Sequence, residues 1–179
     1  MKKILTILLA LLSVGTIANA QSLQMGENSK MTKQSKEYVK VETNYGDVFF
    51  EFFENDAPKH VDAFKKLTNN GFYDGLVFHR VVPDFVAQTG DPTGTGTGGP
   101  GYNLKAEFNN KPHVRGAIGM ARSQHPDSAG SQFYFVLKDA RFLDHEYTVF
   151  GQVVKGMEVV DQIVQGDKMD KVTIVTEVE

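Results

Sequence analysis

The stretch YVKVETNYGDVFFEFFE, residues 38–54, places Val39, Val41 and Thr43, then Val48, Phe50 and Phe52, at alternate positions around Asn44-Tyr45-Gly46-Asp47. Alternation with period two puts residues of one parity on one face, so this segment reads as a hairpin with one buried face and a tight turn. Short extended patterns return in LVFHRVV, FVAQTG, GAIGMARS, SQFYFVL, YTVFGQVV and KVTIVTEV. Helical spacing occurs in two places. One is NDAPKHVDAFKKLTNNGFY, with Asn55 or Asp56 as cap, Pro58 in the first turn, Val61, Phe64 and Leu67 as the stripe, and Gly71 as the stop. The other is GMEVVDQIVQ, with Val159, Val160, Ile163 and Val164. Many short strands and few helices argue against a βαβ design and for a mainly β fold, a closed antiparallel barrel.

Between the extended segments lies GDPTGTGTGGPG, whose Gly94-x-Gly96-x-x-Gly99 matches a dinucleotide-binding fingerprint on paper. That fingerprint works only where a helix opens directly behind it, because the helix N-terminus supplies the anion-binding amides. Here Pro100-Gly101-Tyr102-Asn103 follows, with no helix start, and no GK[ST] sequence suggests a phosphate loop. Six glycines in twelve residues (Gly90, Gly94, Gly96, Gly98, Gly99, Gly101) instead describe a surface loop that visits positive φ.

The 179 residues suit one domain, and 41% hydrophobic content with 13 Phe can fill its core. A formal net charge of −3 gives no reason to expect nucleic-acid or anionic-membrane binding. The N-terminus differs in kind. Lys2 and Lys3, the apolar run Ile4 to Val14, and Ala18-Asn19-Ala20 form a secretory signal peptide over residues 1–20, too short for a comfortable membrane span. Cleavage is expected after Ala20, leaving no membrane span and a periplasmic or secreted product. Residues 21–37 are polar and read as a flexible lead-in, so the folded domain is expected over 38–179. With no cysteine, disulfides, thiol chemistry and an N-terminal lipid are excluded.

Common catalytic patterns are missing. Ser131 in AGSQF lacks the second glycine of a nucleophile elbow, and His60, His79, His113, His125 and His145 show no metal-ligand spacing. What stands out is GFYDGLVFHRVVPDFVAQTGD combined with GMARSQHPDSAGSQFYFVL and FLDHEYTVFGQVVKGMEVVDQI. Together these motifs resemble the cyclophilin family of peptidyl-prolyl cis/trans isomerases, from about Tyr38 to the C-terminus. The resemblance implies an eight-stranded closed antiparallel barrel capped by two helices, no cofactor, a monomer, and proline-containing polypeptides as partners. It also implies site positions: Arg80, Phe85, Val86 and Gln88 from FHRVVPDFVAQ, Ala121 and Arg122 from GMARS, Gln132 and Tyr134 from GSQFYF, and Phe142, Leu143 and Tyr147 from FLDHEY.

The residue types suit such a reaction. Amide resonance sets a rotation barrier of about 18–20 kcal/mol, and a catalyst must favour the twisted state, in which the prolyl nitrogen regains its lone pair. A guanidinium such as that of Arg80 can donate to that nitrogen, Gln88 can orient the guanidinium, Gln132 can offer its amide to a substrate backbone, and the apolar group can hold the ring. A proline-binding module without turnover is the alternative on the same fold. The chain departs from common family members at Val86 for methionine, Tyr134 for phenylalanine, Phe142 for tryptophan and Tyr147 for histidine. The pocket stays apolar, but loss of the indole N–H puts binding of the family inhibitor cyclosporin in doubt.

Overall fold

A computed structural model describes residues 35–179, so the expected signal peptide and most of the lead-in lie outside the described residues. The opening hairpin forms as read: β1 (Tyr38–Thr43) pairs with β2 (Gly46–Phe52) across a two-residue turn at Asn44 and Tyr45, with Gly46 at φ 123°. There follow α1 (Pro58–Asn69), β3 (Arg80–Val82), β4 (Val86–Thr89), β5 (Ala117–Met120), β6 (Phe133–Val136), β7 (Val149–Lys155), α2 (Met157–Val160) and β8 (Lys171–Val175). The strands pair antiparallel in one eight-stranded sheet, in the order β3-β4-β6-β5-β7-β2-β1-β8.

The closed barrel expected from the sequence is not what forms. The sheet curls into an open half-barrel whose edges, β3 and β8, do not pair with each other. A ladder needs several successive residues in step, and β3 offers three before Pro83 ends it. Only the segments leading into the edge strands meet, through an isolated bridge between Val77 and Lys168 flanked by Phe78 N–H to Asp167 O (2.8 Å) and Met169 N–H to Leu76 O (2.9 Å).

The concave side of the sheet closes over aromatic rings. Phe50, Phe64, Phe133, Phe135, Phe150 and Tyr73 are fully buried, with Phe64 stacked on Tyr73 at 4.6 Å and edge-on to Phe133 at 5.2 Å. Phe64 comes from α1, so its stripe docks the helix on the sheet as the spacing required. The second helix is much shorter than its apolar pattern suggested. It starts after Gly156, whose φ of 92° and close approach to Asp47 O leave no room for a Cβ, and regular helix stops at Val160.

Two turns of chemistry hold the connecting segments. Neither Asn55 nor Asp56 caps α1: its N-cap is Ala57, which has no side chain to do so. Glu107, from a distant loop, takes that role, accepting from the backbone N–H of Lys59 and of His60 at 3.0 Å each, and lying 2.7 Å from His60 Nδ1. A carboxylate there satisfies orphan amides and faces the positive end of the helix. Burial alone would raise the Glu107 carboxyl, but the His60 ring and the two amides hold it below the usual range.

The glycine loop does bind an anion, and the anion is its own. The carboxylate of Asp91, 1% exposed, accepts from Thr93 N–H (2.7 Å), Thr93 Oγ1 (2.8 Å), Gly96 N–H (2.5 Å) and Gly98 N–H (3.2 Å). Gly94 and Gly96 have positive φ, and a Cβ on Gly98 would stand 2.0 Å from Asp91 Oδ1. Burial pushes the Asp91 carboxyl up, yet the Thr93, Gly98 and Gly96 donors outweigh it and hold it at about 2.

Two outcomes follow for measurement. Glu107→Ala leaves two helix N-terminal amides and the Nδ1 of buried His60 without this partner, and should cost about 1–3 kcal/mol in denaturant unfolding; a wild-type midpoint would show that the cap carries nothing. Because the folded pKa of Asp91 lies below its unfolded value, its contribution is complete above that unfolded value, near pH 4, and is lost as pH falls toward about 2. Hydrogen exchange of Gly96 and Gly98 amides should accelerate across that window relative to core amides, and should not if the carboxylate is dispensable.

Candidate active site

Strand β6 separates two compartments. Its pleat sends Phe133 and Phe135 into the aromatic core and Tyr134 with Val136 to the opposite face, where a second apolar cluster forms. Six of the residues singled out from the sequence meet there: Val86 and Tyr134 buried, Phe85, Ala121, Leu143 and Tyr147 packed against them. β4 brings Val86 opposite Val136 and Gln88 opposite Tyr134. On the other flank β5 supplies Gly119, where a Cβ would stand 2.3 Å from the Tyr134 ring, so a bare backbone is what lets that ring lie flat across the strand. Phe142 sits on a 3-10 turn, Arg141–Leu143; it is 74% exposed and stacks on Phe85 at 5.7 Å with an interplanar angle of 22°.

A line of polar side chains runs along the edge of this cluster. Arg80, the register partner of Gln88, is exposed, with its guanidinium carbon 5.7 Å from the Phe85 ring centre. Its Nη1 donates to Gln88 Oε1 at 3.4 Å, Gln88 Nε2 donates to Gln132 Oε1 at 2.9 Å, and Gln132 Nε2 donates to Gly96 O (3.0 Å) and Gly98 O (2.9 Å). The relay ends in the loop organised by Asp91. The Gln132 amide nitrogen, expected to face a substrate backbone, is thus engaged with the loop. Each amide is oriented by the next, and the guanidinium, a permanent donor, stands at the lip, where among the described residues its one hydrogen bond is the one from Nη1 to Gln88.

Arg122 has a different place. Its side chain is 12% exposed, its Nε and Nη2 donate to Glu146 O at 3.0 and 2.9 Å, and Nη1 donates to Ser123 O and Gln124 O. It lies 4.6 Å from the Tyr147 ring centre. Those donors are spent on backbone, so Arg122 ties the 122–124 loop to the segment bearing Tyr147 and forms a wall. Between that wall and the glycine loop runs a groove of about 670 Å³, lined among others by Gln88, Gly98, Tyr102, Ala121, Ser123 and Gln132.

Sequence reading missed His113 and Asp144. His113 is fully buried under the cluster, with Nε2 3.0 Å from Tyr134 Oη and Nδ1 3.1 Å from Asp144 Oδ1. Burial pushes the His113 ring below its ordinary value despite Asp144, and pushes the Tyr134 phenol up. Asp144 falls to about 2: burial opposes this, but Arg141 and the His113 amide and ring outweigh it. The one hint in the sequence was Tyr134 itself, since a tyrosine on a buried strand needs a partner for its hydroxyl.

Comparison with known proteins agrees with this geometry. The profile of the family described as cyclophilin type peptidyl-prolyl cis-trans isomerase/CLD matches residues 38–179. A probable peptidyl-prolyl cis-trans isomerase of Brucella abortus is 48% identical over 137 residues, covering 70% of each chain, and the peptidyl-prolyl cis-trans isomerase of Helicobacter pylori is 47% identical over 139 residues, covering 75% of this chain and 85% of that one. A crystal structure of a Cryptosporidium parvum cyclophilin type peptidyl-prolyl cis-trans isomerase superposes with a TM-score of 0.75 at 29% identity, over 80% of this chain and 99% of that one. The motifs, the curled antiparallel sheet and these relatives lead to one assignment: the chain belongs to the cyclophilin-type peptidyl-prolyl cis-trans isomerases.

Proposed function

We propose that this isomerase turns X-Pro bonds in unfolded or partly folded polypeptides after export, with Arg80 as the group that favours the twisted imide. The observation that carries the reading is the guanidinium held at the lip of an apolar cluster by Gln88 and the Phe85 face. A similar cyclophilin from Cryptosporidium parvum, 32% identical with a TM-score of 0.69, was crystallised in the presence of the dipeptide Ala-Pro. A proline ring lodged among Phe85, Val86, Tyr134, Phe142 and Leu143 would bring its nitrogen toward Arg80. In the planar amide that nitrogen has no lone pair to offer; at mid-rotation it becomes pyramidal and accepts. The hydrogen bond therefore strengthens on the way to the transition state, which is the condition for catalysis.

Magnitudes show that Arg80 does not act alone. An acceleration on the order of 10⁵-fold requires about 7 kcal/mol, whereas a hydrogen bond to a charged group is worth about 1.5–3 kcal/mol. The balance falls to the ring-holding residues and to water exclusion, which strengthens the ionic contact. The preceding residues of the client would run along the groove past Gln88, Ala121, Arg122 and Gln132, with Tyr147 at its rim. The reading takes the protein to act as a monomer, and the chemistry calls for no cofactor.

Export is the second part of the reading. Lys2 and Lys3, the apolar run to Val14 and Ala18-Asn19-Ala20 support a signal peptide removed before Gln21 and a periplasmic site of action. Among the described residues no helix is long and apolar enough to cross a membrane. N-terminal sequencing of the exported protein should begin at Gln21.

Exchange NMR on short X-Pro peptides tests the activity. Wild type should accelerate cis/trans exchange, and Arg80→Ala should lose about 10- to 150-fold in kcat/KM, the equivalent of one charged hydrogen bond. Wild type without acceleration would overturn the enzymatic reading in favour of a binding module. Full activity in Arg80→Ala, with loss in Phe85→Ala, would overturn the role given to the cation.

A further inference from the structure

The rim of the ring-holding cluster is an unusual place for order. Phe142 stands mostly in solvent, and the stack on Phe85 is the aromatic contact it makes. Its position is therefore set by the backbone turn that carries it and Leu143. That turn is tied at both flanks to one residue. On its N-terminal side Ala140 N–H donates to His113 O at 2.8 Å. On its C-terminal side Asp144 Oδ1 accepts from His113 N–H at 2.7 Å and stands 3.1 Å from His113 Nδ1, while Arg141 Nε donates to Asp144 Oδ2 at 2.5 Å.

The His113 ring then reaches the floor of the same cluster. Its Nε2 lies 3.0 Å from the hydroxyl of Tyr134, and the two rings lie nearly parallel, 6.1 Å apart. Tyr147 meets both rings edge-on, at 6.4 Å from His113 and 6.2 Å from Tyr134. The hydrogen bonds specify one arrangement of protons. Asp144 is an acceptor, so Nδ1 carries the proton and donates to it; Nε2 is then the acceptor for the Tyr134 O–H. Every polar atom of the His113 side chain is used, and none is exposed.

We infer that His113, with Asp144 and the Tyr134 hydroxyl, is a positioning unit that fixes the distance between floor and rim and so makes the pocket selective for the five-membered proline ring. The inference rests on the isomerase reading above. The hydroxyl of Tyr134 completes this brace. Removing the brace leaves the apolar lining intact but lets the Phe142–Leu143 turn move against the floor, and the site then admits a wider ring.

The test compares peptides carrying proline with the same peptides carrying pipecolic acid, its six-membered homologue, by exchange NMR on the full domain. An apolar pocket of fixed width discriminates one methylene by about 10- to 200-fold. Wild type should therefore prefer prolyl over pipecolyl peptides, and His113→Asn, which keeps a donor for Asp144 but is too short to meet Tyr134, should reduce that preference about tenfold. Tyr134→Phe, which removes one hydroxyl and no packing atom, should move the ratio the same way and serves if His113→Asn does not fold. A general loss of structure lowers both rates by one factor; an unchanged ratio in both variants, whatever the absolute rates, overturns the inference. Nitrogen-15 NMR of His113 gives a second reading: a protonated Nδ1 with bare Nε2 is expected, and the opposite tautomer would contradict the brace. Failure of wild type on prolyl peptides would instead strike the isomerase reading itself.

Discussion

Strand β6 has to satisfy two apolar compartments with four residues, and the rest of the domain is arranged around that demand. Phe133 and Phe135 complete the aromatic core under the curled sheet, while Tyr134 and Val136 found a second cluster on the other face. A shift of one residue in register against β4 or β5 would exchange the two sets, placing a tyrosine hydroxyl in the core and two phenylalanines under the site. The flanking strands enforce the register. Gly119 accepts only a flat ring opposite it, and Gln88, paired with Tyr134, must emerge beside Gln132 to join the amide relay. The core thus sets the site through the pleat, with no separate scaffold for function.

From β6 outward the site is built as a sequence of orientations. The Asp91 carboxylate folds the glycine loop around itself; the loop presents the carbonyls of Gly96 and Gly98 to Gln132; Gln132 orients Gln88, and Gln88 orients Arg80. Arg80, the final group, is the exposed side chain of the line, whereas Gln88 and Gln132 are half-buried and the negative charge of Asp91 is closed inside the loop. Rigid side chains with prepaid hydrogen bonds suit a reaction without proton transfer or covalent intermediate, because what the protein supplies is a field and a shape already in place when the bond twists.

Much of this was legible in local pattern. Period-two alternation located β1 and β2, and the extended pattern of SQFYFVL located β6; the flanks of the glycine loop argued against a nucleotide fingerprint, and motif resemblance named six of the residues that meet in the second cluster. What local pattern could not show were groups supplied across sequence. Glu107 caps the helix that begins at Pro58, accepting from the amide of Lys59, 48 residues earlier along the chain. His113 reads as one histidine among five, and its significance appears only when Asp144 and Tyr134 fold onto it. Closure was overestimated for a related reason: strand count is visible in a sequence, whereas the pairing of two edge strands depends on β3 being cut short by Pro83.

The central claim is that a guanidinium held beside an apolar pocket stabilises the contorted imide. It is tested most directly by a crystal structure of the domain with a short X-Pro peptide. The prolyl ring should lie among Phe85, Val86, Tyr134, Phe142 and Leu143 with its nitrogen facing the Arg80 guanidinium. A ring seated elsewhere, with Arg80 turned to solvent, would contradict it.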